Sequence, residues 1–288
     1  MPKIILKLSG GLGNQMFQYA AARSITTPKN IIIDLSFLNA NKHSGNEFTA
    51  RGYELSVFKS LKTNSFLSGL LTYPAVGHKL IQILSKIKPG KLITLRNAIS
   101  KKDLNSARLI YMDGYFQDPA YFESIRSILV NDFDLNDLEK TSADTIGDSI
   151  ASTNSISIHV RRGDYLKPSV NEVHGILPWD YYKGAIEKMN LSMENPVYFI
   201  FSDDPEWCVK NIILPDQQIH FVSGNSMYED LRLMTACKHN IIANSTFSWW
   251  GAWLNKNPEK KIIAPKQWFK DEALNSVQKI IPENWIKI

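Results

Sequence analysis

Two arginines follow the apolar run Ser155-Ile156-Ser157-Ile158-His159-Val160, in the order Arg161-Arg162-Gly163-Asp164-Tyr165. The run is short and carries β-branched residues, so it reads as a buried strand. In open α/β sheets, ligands sit in the crevice beyond the carboxyl ends of the strands. A guanidinium presents a planar fork of N–H donors that matches phosphate oxygens, and it never loses its charge. A strand that ends in two of them suits an anionic ligand such as a diphosphate. The competing reading is a surface salt bridge from Arg161 or Arg162 to Asp164.

Three more strand ends in the second half of the chain are polar. Tyr198-Phe199-Ile200-Phe201 runs into Ser202-Asp203-Asp204-Pro205, where the proline opens a helix. One carboxylate of Asp203 and Asp204 is expected to cap that helix, and the other to accept hydrogen bonds from guanine N1–H and N2–H₂ or from ribose hydroxyls. Ser223-Gly224-Asn225-Ser226 is the third end. Asn244-Ser245-Thr246-Phe247-Ser248 is the fourth, and it opens a helix whose N–H groups, hydroxyls and dipole favour an anion. Without a ligand the same residues are a capping cluster. Trp249, Trp250 and Trp253 follow at helical spacing and read as core packing, with Gly251 and Ala252 permitting close approach to the sheet.

Near the N-terminus, Ser9-Gly10-Gly11-Leu12-Gly13-Asn14-Gln15 lies between the strand candidate Lys3 to Leu8 and a helix-forming run from Met16. Strand, glycine turn and helix bring backbone N–H groups against a ligand. The spacing is not G-x-G-x-x-G, and the Lys-Ser/Thr of a P-loop is missing, so a nicotinamide fingerprint fits poorly. The Asn14 and Gln15 amides are expected to face a polar ligand. Asp132-Phe133-Asp134 has the D-x-D form that holds a metal in many sugar transferases, but it follows a helix and not a strand. It reads better as a helix exit with Phe133 turned inward.

These ends must be positioned by a sheet. Strand candidates Ser155–Val160, Pro196–Phe201, Gln218–Val222, Asn240–Ala243 and Lys261–Ala264 alternate with helix candidates Pro178–Met189, Pro205–Asn211, Ser226–Cys237 and Ser245–Asn255. That alternation predicts a parallel, Rossmann-like sheet. Upstream, Asn30–Asp34 adds a strand candidate, Arg108–Gln117 reads as a strand leading into a polar-aromatic loop, and a helix is expected from Asp118 or Pro119 through Leu129. Tyr53 to Phe58 is ambiguous. The polar stretch from Asp134 to Asn154 suggests a domain boundary near residue 150. The expected division is 1–150 and 151–288, with the polar strand ends of a nucleotide-diphosphate site in the second part.

The chain has 288 residues, 44% hydrophobic and 21% charged, the balance of a soluble globular protein with room for two domains. The net charge of +5 favours anionic partners. There is no like-charge block and no zinc-type Cys/His spacing, so no nucleic-acid partner is expected. Two cysteines, Cys208 and Cys237, imply no disulfide framework and suit a reducing compartment. With no signal-like start and no membrane-spanning apolar run, the expectation is cytoplasmic. From Lys79 to Lys102 lysines interleave with apolar residues at helical spacing. The pattern reads as a basic amphipathic helix, expected either to contact an anionic membrane at the periphery or to pack one face on the core with the other in solvent.

Gly10-Gly11-Leu12-Gly13-Asn14-Gln15-Met16-Phe17-Gln18-Tyr19-Ala20, His159-Val160-Arg161-Arg162-Gly163-Asp164-Tyr165, Phe201-Ser202-Asp203-Asp204, Asn244-Ser245-Thr246-Phe247-Ser248-Trp249-Trp250-Gly251-Ala252-Trp253-Leu254 and Asp113-Gly114-Tyr115-Phe116-Gln117 together resemble the bacterial galactoside α-1,2-fucosyltransferases of glycosyltransferase family eleven. The resemblance implies a GT-B-like α/β fold, with two Rossmann-like domains facing across a cleft. It implies inverting transfer of fucose from GDP-β-L-fucose to the 2-hydroxyl of a terminal galactose, with no metal and no cofactor beyond the donor. By the same resemblance Arg161 would hold the β-phosphate, and His159 and Asp203 would contact guanine or ribose. Ser245, Thr246 and Ser248 would lie near the phosphates, and Asn14 near the fucose or the acceptor. Asp204 joins the donor-side set; Gln15, Asp113 and Tyr115 form the acceptor side. Asp164 is one candidate base, and Asp34, Asp113 and Glu172 are others. The competing functions are an NAD-dependent oxidoreductase and a non-catalytic glycan- or nucleotide-binding protein.

Overall fold

The computed structural model describes residues 1–43, 49–63, 92–99, 104, 107–136, 143–214, 218–277 and 279–288. The chain forms two compact units, Met1–Asp134 and Leu135–Ile288. The division falls before residue 150 because the helix Ala143–Ser152 packs within the second unit, where Gly147 lies under Leu233. The basic Lys79–Lys102 stretch lies outside the described residues apart from a short piece. Within that piece is a strand, Leu92–Leu95, that the sequence reading did not anticipate.

In the first unit, β1 (Lys3–Lys7), β2 (Ile31–Asp34), β3 (Leu92–Leu95) and β4 (Leu109–Met112) form a parallel sheet in the order β2-β1-β4-β3. Helix α1 (Leu12–Ile25) follows β1. It is rich in strong helix formers and has no β-branched residue before Ile25, and it stops at extended Thr26 two residues before Pro28. Phe17 and Tyr19 meet Phe122 and Phe133 edge-on. A short helix, α2 (Ser36–Ala40), follows β2. The helix expected from Pro119 is broken into two 3₁₀ turns and α3 (Arg126–Asp132). Phe133 is buried, and Asp132 accepts from Tyr19 and Arg23, so the D-x-D residue nearest the core is a structural ion-pair partner.

The second unit holds β5 (Asn154–Val160), β6 (Pro196–Ser202), β7 (Ile219–Val222), β8 (His239–Ile241), β9 (Ile262–Ala264) and β10 (Ile286–Lys287), all parallel, in the order β10-β9-β8-β5-β6-β7. The chain enters at the central β5, moves out to β7, and returns on the other side at β8. The order therefore reverses between β5 and β8, the switch point at which such sheets bind ligands. The helices are α4 (Ala143–Ser152), α5 (Pro168–Val173), α6 (Trp179–Asn190), α7 (Pro205–Asn211), α8 (Met227–Ala236), α9 (Thr246–Leu254) and α10 (Glu272–Val277).

Strand β5 is covered on both faces, and its alternation decides what each face does. Ile156, Ile158 and Val160 pack with Tyr182, Ala185 and Ile186 of α6. Ser155, Ser157 and His159 face the other way. Ser157 Oγ accepts from Asn240 Nδ2 at 2.7 Å, and that amide also donates to Met234 O. Asn255 Nδ2 in turn donates to Asn240 Oδ1 at 2.8 Å and to Cys237 O at 2.7 Å. This satisfied polar chain links β5, β8, the end of α8 and the end of α9. Trp249, Trp250 and Trp253 are core residues, and the Trp249 indole donates to Ile280 O. Gly251 serves helix–helix packing and not the expected approach to the sheet: a Cβ there would meet Met234 Cβ of α8 at 3.0 Å.

Asn240→Ala strips a donor from Ser157 and Met234 and an acceptor from Asn255 in the buried interior. It is expected to lower unfolding stability by about 2–4 kcal/mol, read from urea denaturation. A change near zero would show that the network contributes nothing to holding β5 against β8.

Candidate functional site

Parallel register explains how the site forms. Val160 pairs with Ser202, so the next residues, Arg161 and Asp203, leave the sheet side by side. Ile158 pairs with Ile241, which brings Asn244 to the same level on the other flank. Arg161 Nη1 meets Asp203 Oδ2 at 2.9 Å, and Arg161 Nη2 meets Asp164 Oδ1. Two carboxylates thus fix the plane of one guanidinium and take two of its five N–H groups. Its side chain is 21% exposed. Asp203 Oδ1 also accepts from Arg162 N at 2.8 Å. Each Asp203 oxygen accepts one bond from the protein and keeps a second lone pair. Gly163 makes this close approach possible, since a Cβ there would sit 2.6 Å from Asp203 Oδ2.

The two arginines have different work. Arg162 Nε pairs with Asp204 Oδ2 at 2.9 Å, and its guanidinium lies over the Trp207 ring at 4.3 Å. Asp204 Oδ1 caps α7 by accepting from Trp207 N. Asp204 is therefore the capping member of the carboxylate pair, and the Arg162–Asp204 pair fastens α7 to the end of β5. This corrects its place among the donor-binding residues. Asp203 is the member held beside Arg161.

His159 is 4% exposed and sits beside Phe247, ring centroids 5.6 Å apart, with Nδ1 accepting no hydrogen bond. Burial pushes its pKa down to about 4, opposed by the Asp203 carboxylate and assisted by Arg161. The imidazole is neutral at pH 7. Tyr165 lies over Arg161 at 5.6 Å, and its hydroxyl donates to Asn244 O at 2.9 Å. The sequence reading named Tyr165 only as part of a motif. Its position could be inferred from its place five residues past a strand end, but not its partner on β8's loop.

At the start of α9, Ser245 occupies the N-cap and its side chain makes no capping bond, while Thr246 is half-buried at the first helical position. Both remain placed for an anion at the helix start. Ser248 is not: it is buried, and its hydroxyl is directed at Ala243 O and Ser245 O. The third strand end is also structural. Ser226 and Glu229 form a reciprocal capping box on α8. Asp230, a residue the sequence reading passed over, accepts from Asn225 Nδ2, and burial raises its carboxyl to about 6.

In the first unit the strand ends gather a second polar group. Asn14 Oδ1 accepts from Gln117 Nε2 at 2.9 Å. Asp113 pairs with Lys7 at 3.1 Å, and Tyr115 is 43% exposed. Gln15 departs from expectation. It is wholly buried, donates to Gly10 O and Gly52 O, and accepts from Glu54 N, so its amide staples the glycine turn to a distant loop. Asp34 is likewise buried and accepts from Ser36 N and the Tyr111 hydroxyl, which removes it from the candidate bases. Glu172 is exposed on α5. Among the described residues, no group of three or more His, Cys, Asp or Glu is placed to hold a metal, and no helix is long and apolar enough to cross a membrane. Cys208 and Cys237 are buried free thiols, both pushed up by burial.

The His159 environment has a consequence for acid stability. An unfolded histidine takes up a proton near pH 6.5, whereas the folded one resists until about pH 4. Between these values the unfolded state binds more protons, so stability contributed by neutral His159 is complete above pH 6.5 and is lost as pH falls toward 4. An NMR titration of His159 in the folded protein is expected to show a midpoint near 4. A midpoint at or above 6.5 would contradict the buried, neutral assignment.

The model of "Glycosyl transferase family 11" matches residues 94–288. The α-1,2-colitosyltransferase of Escherichia coli is 33% identical over 100% of this chain and 99% of its own length. The Escherichia coli O-antigen biosynthesis glycosyltransferase WbnK is 35% identical over 98% of this chain and 99% of its own. Galactoside α-(1,2)-fucosyltransferase 1 of Saimiri boliviensis boliviensis is 29% identical over 46% of this chain and 40% of its own. Among solved structures, the α-1,6-fucosyltransferase NodZ soaked with GDP-fucose aligns with 87% of this chain and 91% of its own, at 13% identity and a TM-score of 0.48. The two full-length bacterial relatives and a family match over well more than half the chain establish that this protein belongs to glycosyl transferase family 11.

Proposed function

We propose that the protein transfers L-fucose from GDP-β-L-fucose to the 2-hydroxyl of a terminal galactose in a glycan, with inversion and without a metal. The observation that carries this reading is the Arg161 guanidinium, held by Asp164 and Asp203 at the switch point of the second unit's sheet. Arg161 binds the β-phosphate. Ser245, Thr246 and the first N–H groups of α9 bind the phosphates from the other flank. His159 and Asp203 contact guanine or ribose, with Asp203 using its remaining lone pairs. Asn14, Asp113 and Tyr115 of the first unit serve sugar and acceptor recognition.

In the reaction the acceptor oxygen bonds to fucose C1 as the bond from C1 to the β-phosphate oxygen breaks. GDP leaves with the electron pair, and the acceptor proton passes to a base or to water. Negative charge builds on the departing diphosphate, and a fixed guanidinium aimed at it lowers the barrier. A compact metal ion is not needed for that role. Asp164 orients Arg161 through its ion pair, and as a base it would have to give up that bond.

Membership of the family removes the oxidoreductase alternative. Relatives named for α-1,2 transfer of colitose and of fucose support the linkage. They also raise a second donor, because colitose is fucose without its 3-hydroxyl. The relative named for O-antigen biosynthesis supports a lipopolysaccharide precursor as acceptor and a cytoplasmic setting.

The test is GDP release from GDP-fucose and from GDP-colitose, with lactose as acceptor and EDTA present. Lactose-dependent release from GDP-fucose, with a fucosyl-α-1,2-galactose product, is the expected result. Release only from GDP-colitose would transfer the donor assignment, and binding of GDP without release from any donor would indicate a non-catalytic binder. Arg161→Ala is expected to lower kcat by about 10²–10³-fold, and Arg161→Lys to stay well below wild type because a point charge does not reproduce the fork. Near-normal turnover in both would remove Arg161 from the mechanism.

A further inference from the structure

Arg161 is held in three ways that differ in kind. Its backbone is hydrogen-bonded by the hydroxyl of Tyr182, a buried residue of α6. Its guanidinium is held in its own plane by Asp203 at Nη1 and Asp164 at Nη2. Two contacts in the plane of a fork stop it sliding but leave it free to tilt about the line that joins them. Tyr165 opposes that tilt. Its ring centroid lies 5.6 Å from the guanidinium carbon, inside the distance at which a cation and an aromatic face attract.

The local sequence puts the ring there. After Arg162 and Gly163 the chain takes a 3₁₀ turn over Asp164–Leu166, and Leu166 N donates to Arg162 O. Asp164 and Tyr165 follow Arg161 by three and four residues, and the turn brings both back to its side chain. The ring is itself secured. His174 stacks on it at 5.1 Å with 19° between the planes, and Phe269 packs on His174 at 5.5 Å. The His174 backbone is tied down in turn, because its carbonyl accepts from Asn244 Nδ2 at 2.8 Å. Burial holds the His174 pKa below its usual value, so the ring against Tyr165 is uncharged at pH 7. It adds no second cation beside Arg161.

The Tyr165 hydroxyl has a different reach. It donates to Asn244 O at 2.9 Å, and burial keeps it protonated far above the usual phenol range. The residue after Asn244 is Ser245, the N-cap of α9. One tyrosine thus touches the guanidinium beyond β5 with its ring and the peptide that opens α9 with its hydroxyl. These are the two elements that flank the switch point between β5 and β8. A tyrosine serving the core alone would need neither contact. Arg162 shows the contrast: its ring partner, Trp207, lies on the helix that the same ion pair fastens, so that contact stays on one side of the switch point.

We propose that Tyr165 is a positioning residue for diphosphate recognition: its ring sets the tilt of the Arg161 fork, and its hydroxyl fixes that fork relative to the start of α9. The assignment rests on the transfer from GDP-fucose proposed above. It adds to that reading the residue that joins the two phosphate-binding elements.

Tyr165→Phe keeps the ring and removes the link to Asn244; Tyr165→Leu removes both. GDP and GMP are the probes, compared by calorimetry. The preference for GDP over GMP is expected to narrow about twofold in Tyr165→Phe and about fivefold in Tyr165→Leu, with GMP affinity within about twofold of wild type. In turnover, kcat with GDP-fucose and lactose should fall about threefold and about tenfold in the same order, while KM for lactose moves less than about twofold. A tyrosine that only supports the fold would weaken GMP and GDP alike. If Tyr165→Leu does not fold, Tyr165→Met replaces it, since an unbranched chain fills the space without a ring. A full GDP preference in the ringless variant, or equal loss of both nucleotides, overturns the assignment. A wild type that binds GDP no tighter than GMP overturns the β-phosphate reading and this assignment together. A wild type that prefers GDP but turns over no donor overturns the transferase reading alone, and the binding comparison still decides the role of Tyr165.

Discussion

The in-register pairing of β5 with β6 is the constraint on which the second unit's site depends. Because Val160 lies opposite Ser202, Arg161 and Asp203 must emerge together, and Arg162 and Asp204 emerge one step later. The first pair is left to hold a guanidinium in place, and the second pins α7 by cap and ion pair. A one-residue slip would send every β5 side chain to the wrong face, moving Ile158 out of its core and Arg161 off Asp203. All of these charged side chains are partly exposed, so their worth is geometric more than energetic. A fixed fork costs little reorganisation when an anion arrives.

Much of that arrangement was legible in the sequence. β6 reads as an unbroken apolar run and β5 as β-branched residues alternating with serine and histidine, so both, and the segment leading through β8, could be located, together with the polar residues just past them. Which polar residues serve the fold was not legible. Gln15 and Ser248 carry groups that suit ligands, but their partners are backbone atoms. Those of Gln15 lie on a loop about forty residues away in sequence, as with Gly52 and Glu54. Asp203 and Asp204 are chemically equal in sequence, and only the geometry of α7 separates clamp from cap. Strands β3 and β10 were missed because one is only four residues long and half-exposed and the other has two residues, too few for a period to register. The boundary was misplaced because the polar composition of 134–154 hides α4, which belongs with the second unit.

Asn244 ties the surroundings of Arg161 to the segments after α5 and β9. Its backbone carbonyl anchors Tyr165 over Arg161, and its side chain holds the segment after α5 to the segment after β9. One residue just past β8 thus positions both Tyr165 and the segments that follow α5 and β9. The structural demand on Asn244 is heavy: one amide nitrogen donates to three carbonyls.

The most direct test of the account compares the affinities of GDP and GMP for the wild type and for Arg161→Ala by calorimetry. If Arg161 is the receptor for the β-phosphate, GDP binds the wild type about tenfold or more tighter than GMP, and the substitution erases that gap while leaving GMP affinity unchanged. If Arg161→Ala weakens GMP as much as GDP, or leaves the gap intact, the guanidinium does not read the β-phosphate, and the central assignment is wrong.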